Sequence, residues 1–146
     1  MRRIDAIVIH CSATPEGKNF RARDIDAWHR QRGFKKIGYH YVIDLDGTIE
    51  KGRDESEVGA HVAGYNSHTI GICYIGGLAK DGKTPKDTRT IQQKESMMRL
   101  IMQLLCKYPN ADIKGHRDFP KVAKACPSFD VRSEYDPLII NGKRTV

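Results

Sequence analysis

Hydrophobic residues fall along this chain in two patterns, short continuous runs and longer periodic stretches. Residues 4–11 and 68–75 are nearly continuous apolar runs, which are typical of strands that are buried on both faces of a sheet. Residues 111–115 predict a further short strand. The run at 4–11 ends in His10 and Cys11, and the run at 68–75 ends in two glycines, so we expect loops at these exits.

The dipeptide Asp46-Gly47 separates two β-rich segments, residues 39–44 and residues 48–51. Asp-Gly favours the positive φ angles of tight turns, so this stretch predicts a β-hairpin. Alternation along the first segment would place these odd-numbered side chains on one face of the sheet: Tyr39, Tyr41 and Ile43.

Two stretches carry apolar residues at the three- and four-residue spacing of amphipathic helices. The first covers residues 21–31 and is followed by Gly33, a common helix stop. The second begins at Ile91, where Thr90 and Gln93 form a capping-box pattern. Its predicted apolar stripe comprises positions 91, 98, 101, 102, 105 and 108. Residues 131–135 predict one more helical turn.

Strands that alternate with helices, together with one hairpin, predict an α/β fold. We expect a single mixed β-sheet that is flanked by helices. The 146 residues fit one domain, because single cores commonly occupy about 100 to 150 residues. Residues 1–140 are assigned to this domain, and residues 141–146 are expected to form a flexible tail.

A formal net charge of +7 favours polyanionic partners, such as nucleic acids or the acidic polymers of bacterial envelopes. The basic residues are scattered and are not interleaved with aromatic residues, so nucleic acid is not the expected ligand. No apolar run approaches the roughly 18 to 20 residues that cross a bilayer, so membrane insertion is not expected. The first residues lack the apolar segment of a signal peptide, so we expect synthesis in the cytoplasm.

The candidate chemical groups are six histidines and Cys126, because imidazole and thiolate are the usual ligands of zinc. His10 and His116 each follow a predicted strand, and Cys126 lies in a proline-flanked loop. Open α/β sheets place their sites at such positions. Spacing alone leaves a metal site open, because no two candidates are close in sequence and a lone histidine is more often structural.

The other three cysteines predict packing rather than chemistry. Cys11 follows His10 directly, and neighbouring strand residues point to opposite faces, so both cannot easily bind one ion. We interpret Cys11, Cys73 and Cys106 as small buried hydrophobic residues. A chain of this size does not require disulfides, so the thiols are expected to be reduced.

Several segments form a recognisable pattern in order along the chain. Near the N-terminus these are Val8-Ile9-His10-Cys11-Ser12-Ala13-Thr14, Ile37-Gly38-Tyr39-His40-Tyr41-Val42-Ile43 and Asp46-Gly47-Thr48-Ile49-Glu50. Later segments are Gly59-Ala60-His61, Gly64-Tyr65-Asn66, Ile70-Gly71-Ile72, Gly115-His116-Arg117-Asp118 and Lys124-Ala125-Cys126-Pro127-Ser128-Phe129-Asp130. Together they resemble the zinc-dependent N-acetylmuramoyl-L-alanine amidases, whose fold family includes the peptidoglycan-recognition proteins. The length and the last segment look most like the short phage lysozymes, or endolysins.

The resemblance implies one catalytic zinc ion per chain, with His10, His116 and Cys126 as its ligands and one coordination position left open. Tyr39 and Lys124 match residues that assist at the scissile amide in phage-type relatives. The resemblance therefore implies that these two are catalytic residues.

Two further residues, His61 and Asn66, match positions near the peptidoglycan groove and are implied to bind substrate. The implied reaction is hydrolysis of the amide between the lactyl group of N-acetylmuramic acid and L-alanine. Such an enzyme would act on peptidoglycan as a monomer, in the periplasm, after release or export by a route other than a signal peptide.

Two other functions stay open at this point. Cys126 could be the nucleophile of a cysteine hydrolase, with His116 or His10 as its base. Alternatively, the chain could bind peptidoglycan without hydrolysing it.

Overall fold

Five strands form the central sheet of the computed structural model, which describes residues 2–139. Across the sheet they are β4 (Ile49–Lys51), β3 (Tyr41–Ile43), β5 (Thr69–Tyr74), β1 (Ala6–Cys11) and β7 (Asp112–Gly115). Strands β3, β5, β1 and β7 are parallel, and β4 is antiparallel to β3. The predicted mixed sheet is confirmed. A second, two-stranded ladder joins β2 (Thr14–Pro15) to β6 (Gly77–Leu78).

Three helices lie where the sequence predicts them: α1 (Ala22–Gln31), α2 (Ile91–Lys107) and α3 (Val131–Tyr135). The capping box of α2 is confirmed, because Gln93 N donates to Thr90 Oγ1 at 3.0 Å and Thr90 N donates to Gln93 Oε1 at 2.9 Å. The hairpin is also confirmed, and Gly47 adopts a φ of 88° in its turn. The predicted tail at residues 141–146 lies outside the described residues.

The apolar stripe predicted for α2 is confirmed at Ile101 and Leu105, which are buried, but it is wrong at three other positions. Ile91, Met98 and Met102 are exposed, and the buried face instead includes two polar residues, Gln93 and Ser96. Gln93 Nε2 donates to the carbonyl oxygens of residues 43 and 75, at 3.2 and 3.0 Å. A polar side chain can occupy a core position when its hydrogen bonds are satisfied, and a pattern of apolar positions cannot show this.

The two faces of the sheet carry different layers. Ile7 and Ile9 of β1 pack with α2 and α3 in the main core, whereas Ala6 and Val8 pack on the other face with Val62 and other residues. By the same alternation, His10 belongs to the face opposite α2.

Tyr39 does not share a face with Tyr41 and Ile43, contrary to the alternation predicted for this segment. Strand β3 begins only at Tyr41, so Tyr39 precedes the regular pleat. It packs against the small cluster that includes Val42 and Cys73, while Tyr41 and Ile43 pack in the main core. Tyr39 therefore lies on the same face as His10, at a ring-centroid distance of 5.0 Å.

The four cysteines are free thiols in different environments. Cys11 and Cys73 are buried as predicted, but Cys106 is exposed on α2. The interpretation of Cys106 as a buried residue is therefore wrong, because the buried face of α2 includes Leu104 and Leu105 and leaves position 106 exposed. Within the described residues, no helix is both long and apolar enough to cross a membrane.

Exchanging these cysteines for serine tests the assignment of the core. Cys73→Ser is expected to lower the free energy of unfolding by about 1 to 3 kcal/mol, because it buries a hydroxyl in an apolar cluster. Cys106→Ser is expected to change it by less than about 0.5 kcal/mol, because its side chain is exposed. Urea unfolding of both variants measures the difference. Equal losses in the two variants would contradict this description of α2.

Candidate active site

Three side chains that are far apart in sequence meet beside the carboxyl end of β1. His10 is the fifth residue of β1, and its side chain is buried. His116 begins a 3-10 turn directly after β7, which is the parallel neighbour of β1. Cys126 lies in the loop that follows, before a cis peptide bond to Pro127. One donor atom from each of the three lies within 4.8 Å of the others.

The charges of these groups suit a cation. Burial first, and then the neighbouring His61 and His116, hold the pKa of His10 well below its usual value. Burial and then Lys124 lower the pKa of His116. Both imidazoles are therefore neutral at pH 7, as metal ligands must be.

The Cys126 thiol is the third donor. Its Sγ accepts a hydrogen bond from Cys11 N at 3.2 Å. A hydrogen bond that the Cys126 thiol gives to the Cys11 sulfur, followed by burial, raises the pKa of Cys126. Two neutral imidazoles and one thiol form a set typical of catalytic zinc sites, and zinc deprotonates a thiol that coordinates it. The donor set therefore fits zinc.

A cavity of about 500 Å³ opens beside this cluster. Its wall includes His116 and Cys126, together with Tyr39 and Lys124. Burial, followed by the nearby cysteines, raises the pKa of Tyr39 well above its usual value, so its phenol stays protonated and can donate a hydrogen bond. The side chain of Lys124 is exposed and supplies positive charge close to His116.

A second cavity, of about 490 Å³, lies next to the first. The two share His116 and Lys124 in their walls, as well as Val62 and Ala63. The basic side chains that line them are Arg32, Lys121 and Lys124. The adjoining cavities form a positively charged groove with His116 and Cys126 in its wall, which suits an extended anionic polymer.

Residues 1–129 match the protein family described as N-acetylmuramoyl-L-alanine amidase. The chain belongs to this family. The amidase is 44% identical to the endolysin of Escherichia phage T7 over 128 residues, which cover 88% of the chain and 83% of the relative. It is 32% identical to a peptidoglycan-recognition protein of Drosophila melanogaster over 133 residues, covering 88% of the chain and 70% of that protein.

Among solved structures, the amidase is similar to the N-acetylmuramoyl-L-alanine amidase LysC from Clostridium intestinale URNW. The TM-score is 0.78 at 33% identity, and the match covers 95% of this chain and 87% of the other. The expected fold, the expected family and the expected activity are thereby confirmed. The amidase hydrolyses the amide bond between N-acetylmuramic acid and L-alanine, and peptidoglycan is its substrate.

The structure places six of the seven residues implied by the resemblance in the wall of one cavity, and the seventh, His10, is buried against His61. His61 and Asn66 line this cavity, as Tyr39 and Lys124 do. Asn66 Oδ1 accepts hydrogen bonds from the backbone N–H groups of His61 and Val62, both at 2.9 Å, so it holds the loop in shape. His61 is partly buried against the ring of His10, and desolvation, followed by nearby positive charge, lowers its pKa to about 3.

Sequence analysis missed the groups that surround the three donors. The backbone N–H of Cys11 contacts Cys126, although the Cys11 side chain is not part of the donor cluster. Thr69 contacts His61 through its hydroxyl at 3.1 Å. Spacing gives no signal for such contacts, because they join distant segments of the chain. His29 and His40 have structural contacts, because their ring nitrogens accept hydrogen bonds from the backbone N–H groups of Gly38 and Gly71.

Proposed function

We propose that the amidase is a zinc enzyme in which His10, His116 and Cys126 hold one metal ion. The observation that supports this most strongly is the convergence of their three donor atoms, within 4.8 Å of one another, beside the groove. When bound there, zinc would supply a Lewis acid that polarises the scissile carbonyl and makes water nucleophilic near neutral pH.

Two side chains of the cavity wall are proposed to act on the reacting carbonyl. Attack on the lactyl carbonyl develops negative charge on its oxygen, and preorganised donors stabilise such a charge. The phenol of Tyr39 is protonated and offers an O–H donor, while Lys124 offers an ammonium group on the same cavity. Collapse of the tetrahedral species then breaks the C–N bond and leaves the lactyl carboxylate, and the amine of L-alanine departs with the proton that the attacking water gives up.

The groove is proposed to bind the glycan and its peptide on either side of the scissile bond. Asn66 uses its carbonyl oxygen to accept backbone hydrogen bonds, so its amide donors are the atoms that it offers to substrate. His61 contributes part of the cavity wall beside His10. The net charge of +7 favours approach to the anionic polymers of a bacterial envelope.

The properties of Cys126 argue against a thiol nucleophile. A nucleophilic cysteine needs a lowered pKa, usually from a nearby cation or an ion pair with histidine. In this chain the Cys11 thiol and burial raise the pKa of Cys126 instead. A metal ligand is consistent with that environment, because coordination supplies the missing positive charge.

Several relatives that are at least 40% identical to this chain are named endolysins, and we infer the same role for this chain. An endolysin degrades the cell wall from within its host. Such an enzyme would be made in the cytoplasm and would reach the periplasm by release or by a separate export route. Its expected state is a monomer.

Incubation with purified sacculi tests the proposed function. We expect new L-alanine amino termini to appear, with no new reducing sugar ends. Removal of metal by a chelator should stop the reaction, and stoichiometric zinc should restore it. New reducing ends, or unchanged turnover after complete removal of zinc, would contradict the proposal.

A further inference from the structure

A line of hydrogen bonds runs from the donor cluster into the protein. His10 Nε2 lies 2.8 Å from His61 Nδ1, and His61 Nε2 lies 3.1 Å from Thr69 Oγ1. Thr69 Oγ1 in turn donates to the carbonyl oxygen of Tyr65 at 2.9 Å. His10 is thus connected, through one imidazole and one hydroxyl, to a fixed backbone acceptor.

The donor and the acceptor of each hydrogen bond in this line follow from its last acceptor, the carbonyl oxygen of Tyr65. A carbonyl oxygen only accepts, and a threonine hydroxyl has a single proton, which it gives to Tyr65. Thr69 must therefore accept from His61, which places the proton of His61 on Nε2. His61 Nδ1 is left as an acceptor, so His10 Nε2 must be the donor. The lone pair of a neutral His10 is then on Nδ1.

The surrounding backbone leaves room for the His61 ring. A Cβ at Gly71 would lie 2.8 Å from His61 Cγ and 2.9 Å from its Nδ1. A Cβ at Gly59 would lie 2.8 Å from His61 Cδ2. Both distances are too short for real side chains, so only glycine at these two positions allows the ring to lie where it contacts His10.

We propose that His61, oriented by Thr69, is a positioning residue that fixes the tautomer and the ring orientation of His10. This inference rests on the proposed zinc site. The His10 Nδ1 lone pair is thereby directed to the metal. Histidines that bind metals commonly donate their other N–H to a fixed partner, and loss of that partner weakens metal binding roughly 10- to 100-fold. Here the partner is a second histidine.

Zinc affinity of the full chain, measured by competition with a chelator, tests this role. His61→Leu is expected to weaken zinc binding roughly 10- to 100-fold. His61→Asn should restore most of the affinity, because an amide oxygen at the position of Nδ1 still accepts from His10. Gly71→Ala should weaken binding as well, because its methyl group would displace the ring. His68→Leu removes an exposed histidine whose ring contacts the carbonyl oxygen of Arg3 and not this line of hydrogen bonds, so it should leave the affinity unchanged.

A spectroscopic readout is independent of activity and of variant stability. In the zinc-free wild-type chain with ¹⁵N-labelled histidine, long-range spectra should show His10 and His61 both protonated on Nε2. A scalar coupling should also join His10 Nε2 to His61 Nδ1. A proton on His10 Nδ1 would overturn the inference, whether or not the variants fold.

The inference and the proposed zinc site can fail separately. If the wild-type chain binds no zinc, or binds it equally well without Cys126, the proposed site is wrong. If zinc binding depends on Cys126 but His61→Leu binds as tightly as wild type, only the role of His61 is wrong. Equal loss in His61→Leu and His61→Asn would show that the ring merely fills space, and it would also overturn the inference.

Discussion

Cys126→Ser is expected to empty the proposed metal site and to abolish hydrolysis of peptidoglycan. Zinc binds a deprotonated thiolate strongly, whereas a serine hydroxyl is a far poorer ligand at neutral pH. The remaining two donors, His10 and His116, are neutral and do not offset the charge of the ion. The measurements are zinc content per chain and the rate at which L-alanine amino termini appear from sacculi.

A matched control for this variant is Cys106→Ser, which exchanges the same atoms at an exposed position outside the cavity. It should keep both zinc and turnover. Circular dichroism and urea unfolding establish that each variant is folded before its activity is compared. Full zinc content and full turnover in Cys126→Ser would remove Cys126 from the ligand set.

Tyr39→Phe and Lys124→Ala are expected to lower kcat by roughly 10²- to 10³-fold while zinc stays bound. Neither side chain belongs to the donor cluster, and both lie on the wall of the cavity beside it. Each is proposed to stabilise negative charge that exists only in the transition state. Binding to intact sacculi should therefore change much less than kcat.

Tyr108→Phe and Lys94→Ala serve as controls, since both residues lie outside the two cavities of the groove. Both controls should keep wild-type turnover. Three quantities are compared between each folded variant and the wild-type chain: zinc stoichiometry, binding to sacculi and kcat. Wild-type turnover in Tyr39→Phe or in Lys124→Ala would return that residue to a structural role.

The elements of the fold could be predicted from local signals. The runs that became β1 and β5, the Asp-Gly turn and the capping box at Thr90 each depend on a few neighbouring residues. Prediction failed where burial depends on a distant partner. Gln93 is buried because carbonyl oxygens of β3 and of the residue after β5 accept its protons, and no local pattern contains that information.

The residues of the candidate site also divide into those that local sequence signals indicate and those that they do not. The ends of β1 and β7 could be expected to lie side by side, which accounts for His10 and His116. Spacing alone did not predict that Cys126 lies beside His10 and His116. Only the resemblance to a family predicted it. Tyr39 was placed on the wrong face because β3 starts two residues later than its β-rich sequence indicates.

The contacts behind the donors could not be predicted at all. His61, Thr69 and Gly71 come from a loop and a strand that meet only in the folded chain. Their segments match family motifs, but a motif does not say which nitrogen of an imidazole donates. That assignment required the full line of hydrogen bonds to the carbonyl of Tyr65.

X-ray absorption at the zinc edge of the loaded amidase tests the proposed metal site most directly. We expect one sulfur at about 2.3 Å, two imidazole nitrogens at about 2.0 to 2.1 Å and one further light atom, with the sulfur lost in Cys126→Ser. A first shell without sulfur, or with the same sulfur in that variant, would contradict a site built from His10, His116 and Cys126.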